Sequence, residues 1–283
     1  MAVDVPIALL GYGTVGAAVH RLLEESADEI ERTTGHRLRV VRALVRDARK
    51  GRTPPAPPGL LTTEFAAVRD DPEVAVVAEV MGGRAKAADT TLETVGRELR
   101  ESLVVTNVHR VLGIVNGTTN YILGEMEGGS SYAEALAEAQ RLGYAEADPA
   151  EDVGGLDAAA KMAILATVAF GSRVPLDWVD VKGIEDVTSE HVAAARALDL
   201  RVKLVGQASL VGDRVDVRVG PALVDTHHPL AAVEGAFNAV MLQGDAIREI
   251  MLEGPGAGGV ETASAVVADL VSIVGTTGTG FLQ

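Results

Sequence analysis

The chain has 283 residues, 47% of them apolar and only 3% aromatic, so aliphatic side chains must fill the core of one large or two ordinary domains. The formal net charge of −15 repels phosphate backbones and anionic lipids, which excludes nucleic acids and membranes as expected partners. Cysteine is absent, which excludes disulfides, zinc ribbons and thiol nucleophiles and favours a cytoplasmic protein. We predict no signal peptide, no membrane span and no metal site.

The first part of the chain alternates between predicted strands and helices. A strand over "VPIALL" leads into glycines, and the apolar residues that follow have helical spacing. Further strands are predicted at Arg37–Val45, at Val74–Gly83, which has a buried pattern, and at "LVVTN", which follows a helix over "TTLETVGRELRES". Because alternating strands and helices form a parallel sheet with crossover helices, residues 1–107 are predicted to be a Rossmann-type dinucleotide-binding domain.

Beyond "LVVTN" the pattern becomes that of an α+β domain. "VHRVLGIVNGTTNYIL" predicts a strand, a polar turn and a helix start, and helices are predicted at Tyr132–Leu142, ended by Gly143, and at Asp157–Phe170. "RVKLVGQASL" and "RVDVRVGPALV" predict an antiparallel hairpin, with which "NAVMLQGDAIREIMLEG" is expected to pair. Residues 108–253 form the predicted second domain, and residues 254–283 a glycine loop with a closing helix. The predicted fold class is α/β, a Rossmann-type parallel-sheet nucleotide domain plus an α+β domain.

Gly11, Gly13 and Gly16 form a G-x-G-x-x-G pattern between the first strand and the first helix. In that context glycines allow a tight turn and a close approach of the backbone to a pyrophosphate, and the helix N-terminus provides N–H groups and a partial positive charge. The pattern favours dinucleotide binding; the alternative is an ordinary turn between a strand and a helix. Near the C-terminus, glycines that include Gly258 and Gly259 form either a second backbone wall beside the cofactor or a flexible linker.

Cations follow the second strand, where an acidic residue for a ribose 2′-hydroxyl is usual. Arg46 stands there, and Arg49, Lys50 and Arg52 come soon after it in a chain that is otherwise strongly acidic. A ribose 2′-phosphate would be stabilised at this point by charge-assisted hydrogen bonds, which favours NADP over NAD. A solvated basic loop is the alternative.

"LGYAEADPAEDVGGLDAAAKMAIL", residues 142–165, gathers carboxylates ahead of a single lysine, Lys161. Asp157 lies four residues before Lys161, so both side chains share one face of a helix that continues into an apolar segment. Carboxylates such as Glu146 and Asp152 keep such an ammonium protonated and also bind the α-ammonium of an amino-acid substrate. A protonated lysine that faces an aldehyde oxygen is a proton donor for carbonyl reduction. The alternative is a lysine that extends from the edge of a core to solvent.

"GYAEADPAEDVGGLDAAAK" and the preceding "LGIVNGTTNYIL" are similar to the signature segments of the homoserine dehydrogenase family. "LLGYGTVG" and "EVMGG" resemble the family's nucleotide domain, and "EGPGAGGVETASAVVADL" resembles the C-terminal segment that returns to it. The similarity covers nearly the whole chain. It implies the reversible NAD(P)-dependent reduction of L-aspartate 4-semialdehyde to L-homoserine, in the biosynthesis of threonine, methionine and isoleucine.

The resemblance also implies roles for individual residues. Lys161 corresponds to the proton donor, Asp157 to its substrate-binding partner, and Glu146 to the residue that binds the substrate amine. The further substrate-binding positions are Asp152, Tyr144, Gly117 and Thr118. Beside the glycine turn and Arg46, the cofactor-binding positions are Thr14, Val15, Gly82, Gly143 and Gly258. Family members are commonly homodimers joined through the second domain, which makes residues 108–253 a substrate-binding and dimerisation domain, and a monovalent cation is a further candidate cofactor.

The chain departs from the family after "LVVT". There the family continues with an alanine-asparagine-lysine sequence and a further segment, which contains a second active-site lysine and much of a monovalent-cation site. Here "VHRVLG" follows almost at once. Because a crossover connection normally needs a dozen or more residues, we expect the chain to be interrupted between Asn107 and Val108, with Cα atoms farther apart than the ~3.8 Å of a trans peptide.

Two other functions are compatible with the sequence. One is a different amino-acid dehydrogenase with the same cofactor domain. The other is a catalytically inactive dinucleotide-binding homologue that acts as a sensor or partner, which the missing segment favours. The joint presence of Glu146, Asp157 and Lys161 argues against inactivity, because loss of function would be expected to scatter these residues.

Overall fold

The computed structural model describes residues 2–52, 55–81, 90–101, 103, 106–256 and 259–277, which form two compact units. Unit one contains the described residues of Met1–Asp89 and Gly258–Gln283, and unit two those of Thr90–Ala257. The chain passes from one unit to the other at 89/90 and 257/258, whereas the sequence predicted boundaries at 107/108 and 253/254.

The secondary structure of the described residues is as follows. The strands are β1 (Val3–Leu10), β2 (His36–Leu44), β3 (Leu61–Thr62), β4 (Val76–Glu79), β5 (Val108–Ile114), β6 (Asp180–Val181), β7 (Leu200–Val211), β8 (Arg214–Asp225), β9 (Phe237–Gly244) and β10 (Arg248–Pro255). The α-helices are α1 (Thr14–Glu25), α2 (Ala27–Thr34), α3 (Ala66–Arg69), α4 (Thr90–Glu101), α5 (Gly117–Glu127), α6 (Tyr132–Leu142), α7 (Ala150–Val153), α8 (Leu156–Phe170), α9 (Ser189–Arg196) and α10 (Gly259–Thr277). Within these residues, no helix combines the length and apolar character that crossing a bilayer requires.

Unit one is a parallel sheet with helices packed on it, as the alternating pattern predicted. Its strands follow the order β3-β2-β1-β4, and β1 pairs in parallel with both β2 and β4. The apolar residues Ile7 and Leu9 of β1 are fully buried, because β1 lies between two neighbouring strands and beneath helices. Helix α10 packs against α1, and its Ala263, Leu270 and Val274 join the same core.

The prediction that Val74–Gly83 forms a buried strand is wrong for its described part. β4 covers four residues, and its side chains alternate in exposure, with Val77 50% exposed. The reason is that β4 is at the edge of the described sheet. The further strand predicted at "LVVTN" is not found in its described part, because Leu103 and Thr106 lie in bends; Val104 and Val105 are outside the described residues.

Unit two is built on a mixed sheet in the order β10-β9-β5-β7-β8-β6, and β6–β8 is its parallel pair. Helices α5 and α8 contribute to a large aliphatic core with β5, β7 and β9. The fold class, a parallel-sheet unit plus an α+β unit, is thus confirmed. The segment "NAVMLQGDAIREIMLEG" does not pair with the β7–β8 hairpin as expected. It forms its own hairpin, β9–β10, and β5 lies between β9 and β7.

Helix α4 belongs to unit two, although the sequence placed it in the nucleotide-binding domain. Its Val95 and Leu99 are four residues apart on one face of the helix and are buried in the unit-two core. The helix packs against α8 and β10. A periodic apolar face predicts that a helix is buried, but it does not specify the sheet that buries it.

The chain passes directly from Asn107 into β5, so the predicted interruption at this point is absent. The Asn107 carbonyl oxygen accepts a hydrogen bond from the Asp245 amide at 3.3 Å, and the next residue, Val108, is paired with Gly244. Both residues therefore lie beside the same turn of the β9–β10 hairpin. The segment that the resemblance leads us to expect after "LVVT" is missing from this chain.

Candidate functional site

The glycine turn in unit one joins β1 to α1 and has the geometry of a dinucleotide-binding loop. Gly11 has a φ of +111°, and a Cβ atom there would lie 2.8 Å from the Val80 carbonyl oxygen, so glycine is required. A Cβ atom on Gly16 would lie 3.1 Å from the Gly11 carbonyl carbon, so this glycine allows the helix to pack against the turn. A Cβ atom on Gly13 would face open space. In this motif the second glycine allows the backbone to approach a pyrophosphate closely.

A cavity of about 1020 Å³ opens next to this turn within unit one. Of the predicted cofactor-binding residues, those that line it are Gly11, Gly13, Thr14 and Arg46, and Gly259 of the possible second backbone wall lines it as well. Val15 and Gly16 belong to the first turn of α1 but are not among the lining residues, and Gly143 lies in unit two. Gly82 and Gly258 fall outside the described residues. Gly13 is the N-cap of α1, and no side chain caps this end of the helix. The backbone N–H groups of the first turn of α1 can therefore bind an anion.

The basic loop after β2 contributes to the same cavity, but its cations differ in what they contact. Arg46, Asp47, Lys50 and Arg52 of this loop line the cavity, as does Arg21 of α1, which the sequence analysis missed. Arg52 is bound to backbone carbonyl oxygens: its Nε donates to Tyr12 at 3.1 Å, and its Nη1 and Nη2 donate to Lys50 and Asp47. Arg52 therefore ties the basic loop to the glycine turn.

A buried pair beneath the glycine turn was not predicted from the sequence. The Tyr12 hydroxyl lies 2.7 Å from Nδ1 of His20, a buried residue of helix α1. Burial raises the pKa of Tyr12 and lowers the pKa of His20, despite the opposing effect of Glu24 on His20. This hydroxyl–imidazole hydrogen bond anchors Tyr12, the residue between the first two glycines, to α1.

In unit two, Lys161 is held close to the residues that the sequence linked to it. Its Nζ lies 3.1 Å from Oδ2 of Asp157 and donates to the Val115 carbonyl oxygen at 2.9 Å. The side chains are 17% and 10% exposed, so the ion pair lies at the edge of the core and is shielded from most of the solvent. Helix α8 places both residues on one face because they are four positions apart.

Asn116 connects the two aspartates and was missed by the sequence analysis. Its Nδ2 donates to Oδ1 of Asp152 at 2.7 Å and to Oδ2 of Asp157 at 2.8 Å. Its Oδ1 accepts from the Thr119 amide at 2.9 Å, which caps the N-terminus of α5. An asparagine directly before a helix is a known N-cap signal, so the cap was predictable. The hydrogen bonds to Asp152 and Asp157 join residues 36 and 41 positions apart in the sequence, so they could not be predicted.

Of the predicted substrate-binding residues in loops, the structure brings Thr118 and Tyr144 into contact but leaves Glu146 apart from the Asp157–Lys161 pair. Gly117 and Thr118 begin α5, and the Thr118 hydroxyl donates to the Tyr144 carbonyl oxygen at 2.6 Å. Gly143 has a φ of +80° and ends α6, as predicted, directly before Tyr144. The Glu146 side chain is exposed, and its carboxylate contacts no described residue through a hydrogen bond or an ion pair. The structure therefore does not join Glu146 to the Asp157–Lys161 pair.

Comparisons with known proteins identify the family. The family model described as homoserine dehydrogenase matches residues 95–271. A homoserine dehydrogenase of Bacillus subtilis (strain 168) is 38% identical, over 98% of this chain and 75% of that relative. The chain belongs to the homoserine dehydrogenase family. A homoserine dehydrogenase of Mycobacterium tuberculosis (strain H37Rv) is 41% identical, over 94% of this chain and 71% of the relative.

Solved structures of homoserine dehydrogenases have the same fold. The crystal structure from Thiobacillus denitrificans matches with a TM-score of 0.90 and 36% identity, over 97% of this chain and 74% of that one. The Staphylococcus aureus homoserine dehydrogenase at pH 6.5 matches with a TM-score of 0.80 and 33% identity, over 99% and 79% of the two chains. Both units are thus shared with structures of the family.

The Bacillus homoserine dehydrogenase is longer than this chain within the region that the two share. The match extends over 326 positions and includes 98% of the 283 residues, or about 277, so at about 49 positions this chain has no residue. A shortfall of this size agrees with the segment that the sequence analysis found missing after "LVVT".

Proposed function

We propose that this chain catalyses the reversible NAD(P)-dependent reduction of L-aspartate 4-semialdehyde to L-homoserine, with Lys161 as the proton donor. Membership of the homoserine dehydrogenase family supports the reaction, which belongs to amino-acid biosynthesis. The observation that carries the residue assignment is the ion pair between Lys161 and Asp157, with Asp152 attached to it through Asn116. A different dehydrogenase and an inactive homologue are not favoured.

Reduction of the aldehyde needs a hydride at the carbonyl carbon and a proton at the carbonyl oxygen. The bound nicotinamide supplies the hydride. Lys161 gives the proton from Nζ, and it takes the proton back from the homoserine hydroxyl in the reverse direction. Val115 and Asp157 fix the position of Nζ, so the ammonium needs no reorganisation when negative charge develops on the substrate oxygen.

The remaining residues of the site bind the amino-acid part of the substrate. The carboxylates of Asp152 and Asp157 both accept hydrogen bonds from Nδ2 of Asn116, so their negative charges lie close together. This pair of charges complements a substrate α-ammonium. Glu146 offers a further carboxylate on the loop that follows α6. Gly117, Thr118 and Tyr144 provide the backbone wall of the site, and the hydrogen bond from the Thr118 hydroxyl to the Tyr144 carbonyl oxygen holds its two segments together.

The proposal is tested with the purified chain by following the absorbance of the reduced nicotinamide. We expect oxidation of L-homoserine with NADP and reduction of the semialdehyde with NADPH. Turnover of another amino acid, but not of homoserine, would indicate a different dehydrogenase. Binding of NADPH without any turnover would establish the inactive homologue and show that the missing segment is required for catalysis.

NADP rather than NAD is the proposed cofactor, because Arg46, Lys50 and Arg21 line the cavity beside the glycine turn. Arg46→Glu should weaken NADP binding by roughly 10–100-fold, the size of one or two charge-assisted hydrogen bonds, and should change NAD binding by less than about threefold. Fluorescence titration gives both dissociation constants. Arg49→Glu is the matched control, because Arg49 belongs to the same loop and is not among the lining residues. Equal losses for NADP and NAD would remove Arg46 from the 2′-phosphate site.

Glu146 is the proposed ligand of the substrate amine, and its exposed carboxylate is accessible to a substrate. An ammonium contact exists in both the ground state and the transition state, so Glu146→Ala should raise KM for homoserine about tenfold and leave kcat within about threefold. Glu151→Ala removes an exposed carboxylate from the neighbouring helix α7 and is the control. An unchanged KM in Glu146→Ala would show that the amine binds elsewhere.

The proposed oligomer is a homodimer joined through the sheet of unit two. Val205, Ala222 and Met251 are partly exposed on a face of this sheet and pack around a small apolar cluster, which supports a contact there. Multi-angle light scattering gives the mass in solution. A monovalent cation as cofactor and a cytoplasmic location remain predictions from the sequence.

A further inference from the structure

Lys203 is a lysine inside the protein that the reaction does not use. It is on β7 and only 2% exposed. Its Nζ donates to Oδ1 of Asn120 at 2.9 Å and to the Val233 carbonyl oxygen at 2.6 Å. A lysine is rarely buried this completely, because removing its charge from water is unfavourable.

The surroundings of Lys203 make its positive charge unfavourable. Burial is the main cause that lowers its pKa to about 8, and Arg201 lowers it further. Glu127, Glu234 and Glu253 act in the opposite direction without cancelling the effect of burial. An apolar side chain would fill this space without the desolvation penalty.

Asn120 is the partner of Lys203 and belongs to the first turns of α5. Its side chain is 1% exposed, and its Nδ2 faces three carbonyl oxygens of one loop: Val233 at 3.1 Å, Gly235 at 3.0 Å and Phe237 at 3.4 Å. The 233–237 loop is therefore fastened to α5 by Asn120 and to β7 by Lys203, with the Val233 oxygen shared between them.

The same loop is in direct contact with the start of α5. A Cβ atom on Gly117 would lie 2.9 Å from the Ala236 carbonyl carbon and closer still to its oxygen. The loop is thus the wall behind the turn that contains Asn116, Gly117 and Thr118. A shift of the loop would move this turn, or leave a gap behind it.

The order of strands explains why these groups meet here. β5 lies between β9 and β7, and the chain leaves β5 to form the turn at Asn116. The last pair of β5 and β9 joins Ile114 to Ala239, so the 233–237 loop reaches this exit from one side. Lys203 lies three residues before Gly206, which pairs with Gly113; because β7 is antiparallel to β5, Lys203 reaches the exit from the other side.

We propose that Lys203 and Asn120 are positioning residues, which act through the 233–237 loop to fix the substrate-binding turn at Gly117 and Thr118. This inference rests on the proposed function, because that function assigns the turn to the substrate. It assigns no contact with the substrate to Lys203 or Asn120 themselves.

The main test compares Lys203→Met with Lys182→Met, which removes a 68% exposed ammonium from the same unit. For Lys203→Met we expect KM for homoserine to rise roughly tenfold, the effect of one lost hydrogen bond, with kcat within about threefold. The dissociation constant of NADPH should not change, since its proposed cavity lies in unit one. A purely structural role would lower the melting temperature and leave KM within twofold of the wild type, and this result would overturn the proposal.

Asn120→Asp is the second variant and decides the question if Lys203→Met does not fold. It keeps an oxygen for Lys203 but loses the Nδ2 donors to the loop, so the same rise in KM is expected.

Calorimetric titration of homoserine in the presence of NADP separates this proposal from the proposed function. If the wild type binds homoserine without turnover, only the proposed function fails, and a tenfold weaker affinity in the variants still supports positioning. Affinities equal to that of the wild type would contradict it.

Discussion

Lys161→Met should lower kcat for homoserine oxidation by roughly 10²–10⁴-fold, the usual contribution of a general acid or base. Methionine keeps the unbranched shape of the side chain but cannot exchange a proton with the substrate oxygen. The carbonyl oxygen of Val115 and the carboxylate of Asp157, which now hold Nζ at 2.9 and 3.1 Å, would lose this partner. Steady-state assays give kcat, and fluorescence titration should show that NADP still binds.

Lys182→Met is the matched control for this experiment, because Lys182 is exposed and pairs only loosely with Asp186 at 3.9 Å. Its kcat should equal that of the wild type. A Lys161→Met enzyme with kcat within threefold of the wild type would contradict the assignment of the proton donor. The Asp157–Lys161 pair would then have a structural role.

Asn116→Asp should lower kcat/KM by roughly 10²–10³-fold, because it removes one donor that serves two carboxylates. Hydrogen bonds to charged groups contribute about 1.5–3 kcal/mol each, and about 1.4 kcal/mol corresponds to a factor of ten. The variant also places a third carboxyl group beside Asp152 and Asp157, which are 2.7 and 2.8 Å from Nδ2. Carboxyl groups that share a site retain a proton more readily, so part of the activity should return as the pH is lowered.

The aspartate variant separates this effect from helix capping. An aspartate at this position still caps α5, since its oxygen can accept from the Thr119 amide as Oδ1 of Asn116 does now. A pH profile of kcat/KM for Asn116→Asp that is parallel to that of the wild type would show that the carboxylates do not depend on Asn116.

Local signals in the sequence were sufficient to predict several elements closely. Helix α6 begins after Ser131, which forms a capping box with Glu134, and it ends at Gly143 in the left-handed conformation. The ion pair of Asp157 and Lys161 follows from helical spacing alone. These features depend on residues within a few positions of each other, which is why one sequence reveals them.

Features that depend on distant parts of the chain were not predicted. The sequence did not indicate that β5 separates β9 from β7, or that α4 packs in unit two, because apolar periodicity does not identify a partner. Similarly, a run of cations indicated a phosphate site but not that Arg52 would use its donors on backbone carbonyl oxygens. The contacts of Asn116 and Lys203 likewise join segments that are far apart in sequence.

Helix α10 has a consequence for the order in which the chain folds during synthesis. The core of unit one needs Ala263, Leu270 and Val274 to cover Val19 and Leu23, so residues 1–89 alone would leave apolar surface exposed on the ribosome. Unit two is continuous from residue 90 to 257 and can bury its core before α10 has been made. The N-terminal segment therefore emerges first but completes its core last.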